Sequence, residues 1–188
     1  MMAAGWRLGA DGWLTGARHV PSPNCDERPA GERVGLIVVH AISLPPEQFG
    51  GPGIDQLFTN ALDPAEHPYY ADIQHLRVSA HFLIRRDGEL VQYVPTGSRA
   101  WHAGQSVWRG RERCNDFSLG IELEGSDTQP FEAVQYEVLA NLVGLLGEHL
   151  PVEGIAGHSE IAPGRKTDPG PHFDWGRFYA LLGRLPSC

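Results

Sequence analysis

The chain of 188 residues has no run of about 18 apolar residues, the length a membrane-spanning helix needs, so no membrane span is expected. Its opening stretch, MMAAGWRLGADGWLTGARHV, lacks the uninterrupted apolar centre of an export signal. Cysteine is scarce: Cys25, Cys114 and Cys188 are odd in number and widely spaced, which suits a reducing compartment better than a disulfide framework. Cytoplasmic residence is the expectation. Basic charge is also short, with 15 lysines and arginines against 23 acids and a formal charge of -8, and that argues against a protein held on nucleic acid by phosphate neutralisation. GxGxxG and GxxxxGK[ST] loops are missing, so nucleotide chemistry has no local support, and the absence of HExxH removes the best-known zinc peptidase signature.

What is present is ample for a core: 41% of residues are hydrophobic, and the length fits one domain over residues 1–188, with an N-terminal extension before the first core strand. The β-branched run Leu36 to Val39 reads as a buried strand that delivers His40 at its end. Residues 21–32, rich in proline and acids, read as an ordered loop leading into it. Between Ile42 and His75 the chain is long in proline, glycine, aspartate and tyrosine; only Ile54 to Ala61 reads as a short helix, and such a connection suits the wall of a substrate cleft. Ser79 to Arg85 and Glu89 to Pro95 form a hairpin across Asp87-Gly88, and Phe117 to Leu123 is a further strand. Pro130 is suited to the first turn of a helix with Val134, Val138, Leu142, Leu145 and Leu146 on its apolar stripe. A last helix capped by Asp174 would turn Phe178, Leu181, Leu182 and Leu185 to the core. Strands interspersed with a few covering helices predict a mixed α/β fold, a central mixed sheet flanked by helices.

The chemistry concentrates in GHSEIAPGRKTDPGP, Gly157 to Pro171, which puts an imidazole, an ammonium and a carboxylate into a segment too rich in glycine and proline for a regular helix. His158 and Asp168, joined by His40 from the distant strand, make a complete protein ligand set for a catalytic zinc with a fourth position left for water. Two imidazoles favour zinc over magnesium, which prefers oxygens. Glu122, flanked by isoleucine and leucine in GIELEG, suits a carboxylate of raised pKa that takes a proton from that water, though Glu124 has the same strand parity. Lys166 is placed to stabilise an oxyanion, or merely to balance Asp168.

Other polar residues have two readings each. His81 in SAHFLI and His102 in AWHAG compete as metal ligands; His81 is otherwise a core imidazole, and His102 otherwise holds substrate or is a satisfied loop residue. Trp101 offers a flat apolar surface to a sugar or peptide; Arg77, Arg113 and Arg165 can fork onto carboxylates or simply face solvent.

Taken in order, the blocks VVHAISLPPEQFGGPGID, HLRVSAHFLIRRDGELVQYVP, RAWHAG, RERCNDFSLGIELEG and GHSEIAPGRKTDPGPHFDW closely resemble the cytoplasmic N-acetyl-anhydromuramyl-L-alanine amidases, part of the zinc amidase family that includes peptidoglycan-recognition-type enzymes. The resemblance spans nearly the whole chain. It implies Zn2+ on His40, His158 and Asp168, Glu122 assisting the attacking water, and Lys166 stabilising the tetrahedral intermediate. It further implies Trp101 near the anhydro-sugar and Arg77 and Arg113 near the peptide's carboxylates. The implied partner is an anhydromuramyl peptide substrate, with no obligate protein partner, in cytoplasmic peptidoglycan recycling. Two departures stand out: Ala41 follows His40 where the family pattern usually has asparagine, and Glu160 stands where asparagine or aspartate is common. A zinc peptidase cutting within the stem is the nearest enzymatic rival; a noncatalytic muropeptide binder would be expected to have lost one of the five catalytic or ligating groups, and all five are present.

Overall fold

The computed structural model describes residues 5–183. Its frame is a six-stranded mixed sheet built from β1 (Arg18–His19), β2 (Leu36–Ile42), β3 (Phe82–Ile84), β4 (Leu90–Gln92), β5 (Ser118–Glu124) and β6 (Gly154–Gly157), in the spatial order β6-β2-β5-β3-β4-β1. β2 and β5 run parallel at its centre, β6 and β3 extend the parallel part on either side, and β4 turns back antiparallel to β3. That reversal is the hairpin expected at Asp87-Gly88: Gly88 takes a φ of +88°, in the left-handed region that costs glycine little. The segment before Leu36 supplies β1 to the sheet edge, and Cys25–Glu27 pairs antiparallel with Ser98–Ala100 beside it.

Period-two alternation divides the two central strands cleanly. Ile37 and Val39 of β2 with Leu119, Ile121 and Leu123 of β5 face α3 (Ala133–His149) and α5 (Trp175–Leu182), where Leu139, Leu142, Leu146 and Phe178 complete the main core. Leu36, Val38 and His40 point the other way, as do Ser118, Gly120, Glu122 and Glu124. Each large side chain fully buried in the helix-facing layer contributes about 1.5–3 kcal/mol.

Several boundaries differ from the sequence reading. β2 runs on to Ile42, so His40 sits inside the strand rather than at its exit. α3 begins at Ala133, not at Pro130: Glu132 and Gln135 form a capping box that fixes the start. Its buried face is accordingly rotated to Gln135, Leu139, Leu142 and Leu146, while Val134 and Val138 lean over the hairpin turn at Gly88. α1 is confined to Gly53–Phe58, and Asn60 follows with a φ of +60°. The unforeseen α2 (Pro68–Ile73) starts where His67 Nδ1 accepts the Tyr69 N–H, with proline in the first turn. α4 (His158–Ile161) is one helical turn within the segment read as too irregular for a helix; Glu160 accepts the Gly157 N–H at 2.5 Å and so secures its start. Asp174 caps α5 as expected, by accepting the Arg177 N–H, whereas Leu185 lies outside the described residues.

Candidate metal centre and catalytic cleft

The parallel register pairs His40 directly with Glu122, so adjacent strands set an imidazole and a carboxylate side by side on the face away from the helices. His158 leaves the end of β6, the strand on the other side of β2, and enters the same space as the first residue of α4. Asp168 returns through the following turn, tied back by the Ser159 N–H donating to its carbonyl at 2.9 Å. The result is a triangle of donor atoms: His40 Nδ1 to His158 Nδ1 is 3.0 Å, His40 Nδ1 to Asp168 Oδ2 is 3.0 Å, and His158 Nδ1 to Asp168 Oδ2 is 3.1 Å.

This triangle fits a zinc ion. Bond lengths of about 2.0–2.1 Å in a tetrahedron put ligand atoms about 3.3 Å apart, close to the edges observed. Hydrogen bonding cannot satisfy the same three atoms, because both ring nitrogens cannot point protons at each other. His158 Nε2 lies 3.1 Å from the Ala103 carbonyl, which only accepts, so the His158 proton sits there and Nδ1 offers its lone pair to the triangle. Burial holds the His40 imidazole down at about 4, against the pull of Asp168, and so keeps it in the neutral form a metal requires.

Glu122 is the other unusual group. Its Oε2 is buried without a hydrogen-bond partner among the described residues, and burial, reinforced by Asp168 and opposed by Lys166, pushes its carboxyl well above the normal value. Glu124, which sequence parity left as an alternative, is fully engaged. It accepts the Gly50 N–H at 2.6 Å, the Arg85 guanidinium at 3.2 Å and the Arg86 N–H at 3.2 Å. The free carboxylate is therefore Glu122.

A cleft of about 330 Å³ opens over these groups, with Lys166 and Trp101 among its lining residues. Its apolar wall comes from α1 and α2, through Leu57, Phe58, Tyr69 and Ile73, which bears out the expectation that residues 42–75 border a cleft. Sequence reasoning did not single out those wall residues; the HPYY run was the available signal. Trp101 Nε1 is buried without a hydrogen-bond partner among the described residues.

The remaining candidates separate. His81 is a core residue: its Nδ1 accepts the Gly120 N–H, its Nε2 donates to the Ser98 carbonyl, and burial lowers it to about 3. Arg165 donates to the carbonyls of Ala103 and Gln105 and braces that loop. Arg77 is exposed and donates to the carbonyls of Gln74 and Leu76, while Arg113 pairs with Asp116; neither lines the cleft. His102, a competing ligand in the sequence, lies against His40, Nδ1 to Nε2 at 2.9 Å, beside the ligand triangle rather than in it.

Comparison with known proteins points to one family. A family model described as N-acetylmuramoyl-L-alanine amidase matches residues 30–171. The 1,6-anhydro-N-acetylmuramyl-L-alanine amidase AmpD of Enterobacter cloacae is 61% identical over 174 residues, 92% of this chain and 93% of its own. AmpD of Haemophilus influenzae is 51% identical over 91% of this chain and 95% of its own. A crystal structure of a selenomethionine AmpD derivative matches with a TM-score of 0.91 at 60% identity, covering 94% of this chain and 99% of that one. The Escherichia coli amidase AmiD, solved with anhydro-N-acetylmuramic acid-L-Ala-D-gamma-Glu-L-Lys, matches at TM-score 0.56 and 28% identity over 93% of this chain and 65% of its own.

Proposed function

This chain belongs to the N-acetylmuramoyl-L-alanine amidase family of hydrolases, and from that premise we propose that it cleaves the amide bond between anhydro-N-acetylmuramic acid and L-alanine in anhydromuropeptides, as a single-domain zinc enzyme of cytoplasmic peptidoglycan recycling. The observation that carries this reading is the triangle of His40 Nδ1, His158 Nδ1 and Asp168 Oδ2 beside Glu122, whose buried Oε2 has no partner among the described residues. The name borne by the 61% identical relative supplies the substrate class.

Zinc held by His40, His158 and Asp168 would acidify a water and polarise the substrate carbonyl. The Glu122 carboxylate then takes the proton as the water oxygen adds to the carbonyl carbon of the lactyl group. Lys166, lining the cleft, turns its ammonium towards the negative charge that develops on the carbonyl oxygen. Glu122 returns the proton to the alanine nitrogen as the C–N bond breaks, so the products are a lactyl carboxylate on the sugar and a stem peptide with a free amine. Trp101 presents its ring and its Nε1–H to the sugar. The exposed guanidiniums of Arg77 and Arg113 are left to the carboxylates of the outer stem peptide.

Zinc-loaded protein incubated with anhydromuramyl tripeptide, with a chelated sample alongside, tests this reading by mass spectrometry. Zinc-dependent release of intact tripeptide is expected. Fragments that retain the sugar bound to L-alanine would reject it.

A further inference from the structure

We propose that His102 is a positioning residue for the metal centre: a directed chain of hydrogen bonds from Cys114 through Ser118 and His102 fixes which nitrogen of His40 carries the proton. The proposal rests on the zinc reading above and adds a residue outside the ligand set.

The direction of the chain is set at its far end. Ser118 Oγ lies 2.5 Å from the Cys114 carbonyl oxygen, which has no proton, so the serine hydroxyl must donate there. Its oxygen is then left to accept from His102 Nε2 at 3.1 Å. With the His102 proton on Nε2, its Nδ1 is a lone pair, and it accepts from His40 Nε2 at 2.9 Å. His40 therefore holds its proton on Nε2, and its Nδ1 lone pair faces His158 and Asp168. Reversing any link would set two protons or two lone pairs against each other inside the protein.

The seat for His102 is built on both sides. Asn115 Oδ1 accepts the His102 N–H at 3.1 Å and the Ala103 N–H at 2.8 Å, which holds the segment in place. The ring packs against β5 at Gly120, where a Cβ would stand only 2.5 Å from His102 Cγ. That close approach accounts for a glycine in the middle of a central strand. Ala103, the next residue, supplies the carbonyl that orients His158. One dipeptide, His102-Ala103, thus orients both imidazoles of the triangle.

The test measures zinc dissociation constants by competition with a chromophoric chelator, on the full-length protein and on His102→Leu, His102→Asn and Ser118→Ala. Thermal unfolding of the zinc-free forms runs alongside. Leucine removes the acceptor and keeps the bulk, so zinc affinity should fall about 10–100-fold. Asparagine, whose Oδ1 can take the place of Nδ1, should recover most of that loss, and Ser118→Ala should weaken zinc by a smaller factor in the same direction. A folded His102→Leu with affinity within about twofold of wild type overturns the proposal, as does equal weakening by leucine and asparagine. If His102→Leu does not fold, Ser118→Ala decides, and wild-type affinity there overturns it. Failure of the wild-type protein itself to bind zinc would reject the metal reading, which separates the two outcomes.

Discussion

The two faces of the central strands β2 and β5 are made of alternate residues of the same segments, yet they obey opposite rules. On the helix side Ile37, Val39, Leu119, Ile121 and Leu123 pack into an apolar layer with α3 and α5. On the other side the same strands add Leu36 and Val38 to a smaller apolar cluster and present His40, Ser118, Gly120, Glu122 and Glu124. There Ser118 and Glu124 are hydrogen-bonded, whereas Glu122, whose buried Oε2 has no partner among the described residues, lines the cleft. The comparison shows how a rigid, well-packed layer holds the site: the helix face is packing alone, whereas the other face carries packing and chemistry together, so substitutions on the helix face should leave the chemistry intact.

Asp168→Ala should produce the largest break on the cleft face. It removes one corner of the triangle, so bound zinc and hydrolysis should disappear together, and metal analysis showing full occupancy would remove Asp168 from the ligand set. Glu122→Gln should keep the metal and lower kcat by about 10²–10⁴-fold, read from rates at saturating substrate. Lys166→Ala should lower kcat by about 10²–10³-fold with little change in KM; an unchanged kcat would end its oxyanion role. On the helix face, Leu139→Ala should cost about 2–5 kcal/mol in denaturant unfolding. Zinc affinity and kcat should be retained where the variant is folded, and a parallel loss of either would show that the faces are not separable.

The smallest effect is one of pH. Burial, then Asp168, raises the Glu122 carboxyl, so the folded zinc-free protein keeps a proton that the unfolded chain releases above about pH 4.3. Stability from this group is present below that value and lost as pH rises through the folded value. Zinc-free Glu122→Gln should therefore gain on wild type between about pH 5 and pH 8 in paired unfolding curves. A constant difference across that range would contradict the environment assigned to Glu122.

Much of the site was legible in the sequence because its residues sit at strand ends or in apolar strands, where a histidine or glutamate is conspicuous. What could not be read depended on groups far apart in the chain. Glu122 and Glu124 are indistinguishable by parity, and only the Gly50 and Arg86 N–H groups and the Arg85 side chain, which engage Glu124, tell them apart. His102 could not be told apart as ligand, substrate contact or loop residue because its place depends on the bare backbone of Gly120 and the hydroxyl of Ser118. α2 was missed because its short, mostly exposed turns carry no apolar stripe, with only Tyr70 buried. α3 was placed early because Pro130 is a plausible start, whereas the pairing of Glu132 with Gln135 fixes the actual one.

Hydrolysis of anhydromuramyl tripeptide in ¹⁸O-labelled water, with both products weighed by mass spectrometry, tests the cleft most directly. Attack on the lactyl carbonyl predicts one labelled oxygen in the sugar fragment and none in the released tripeptide. Label in a peptide carboxylate, or no cleavage by the zinc-loaded protein, would contradict the assignment.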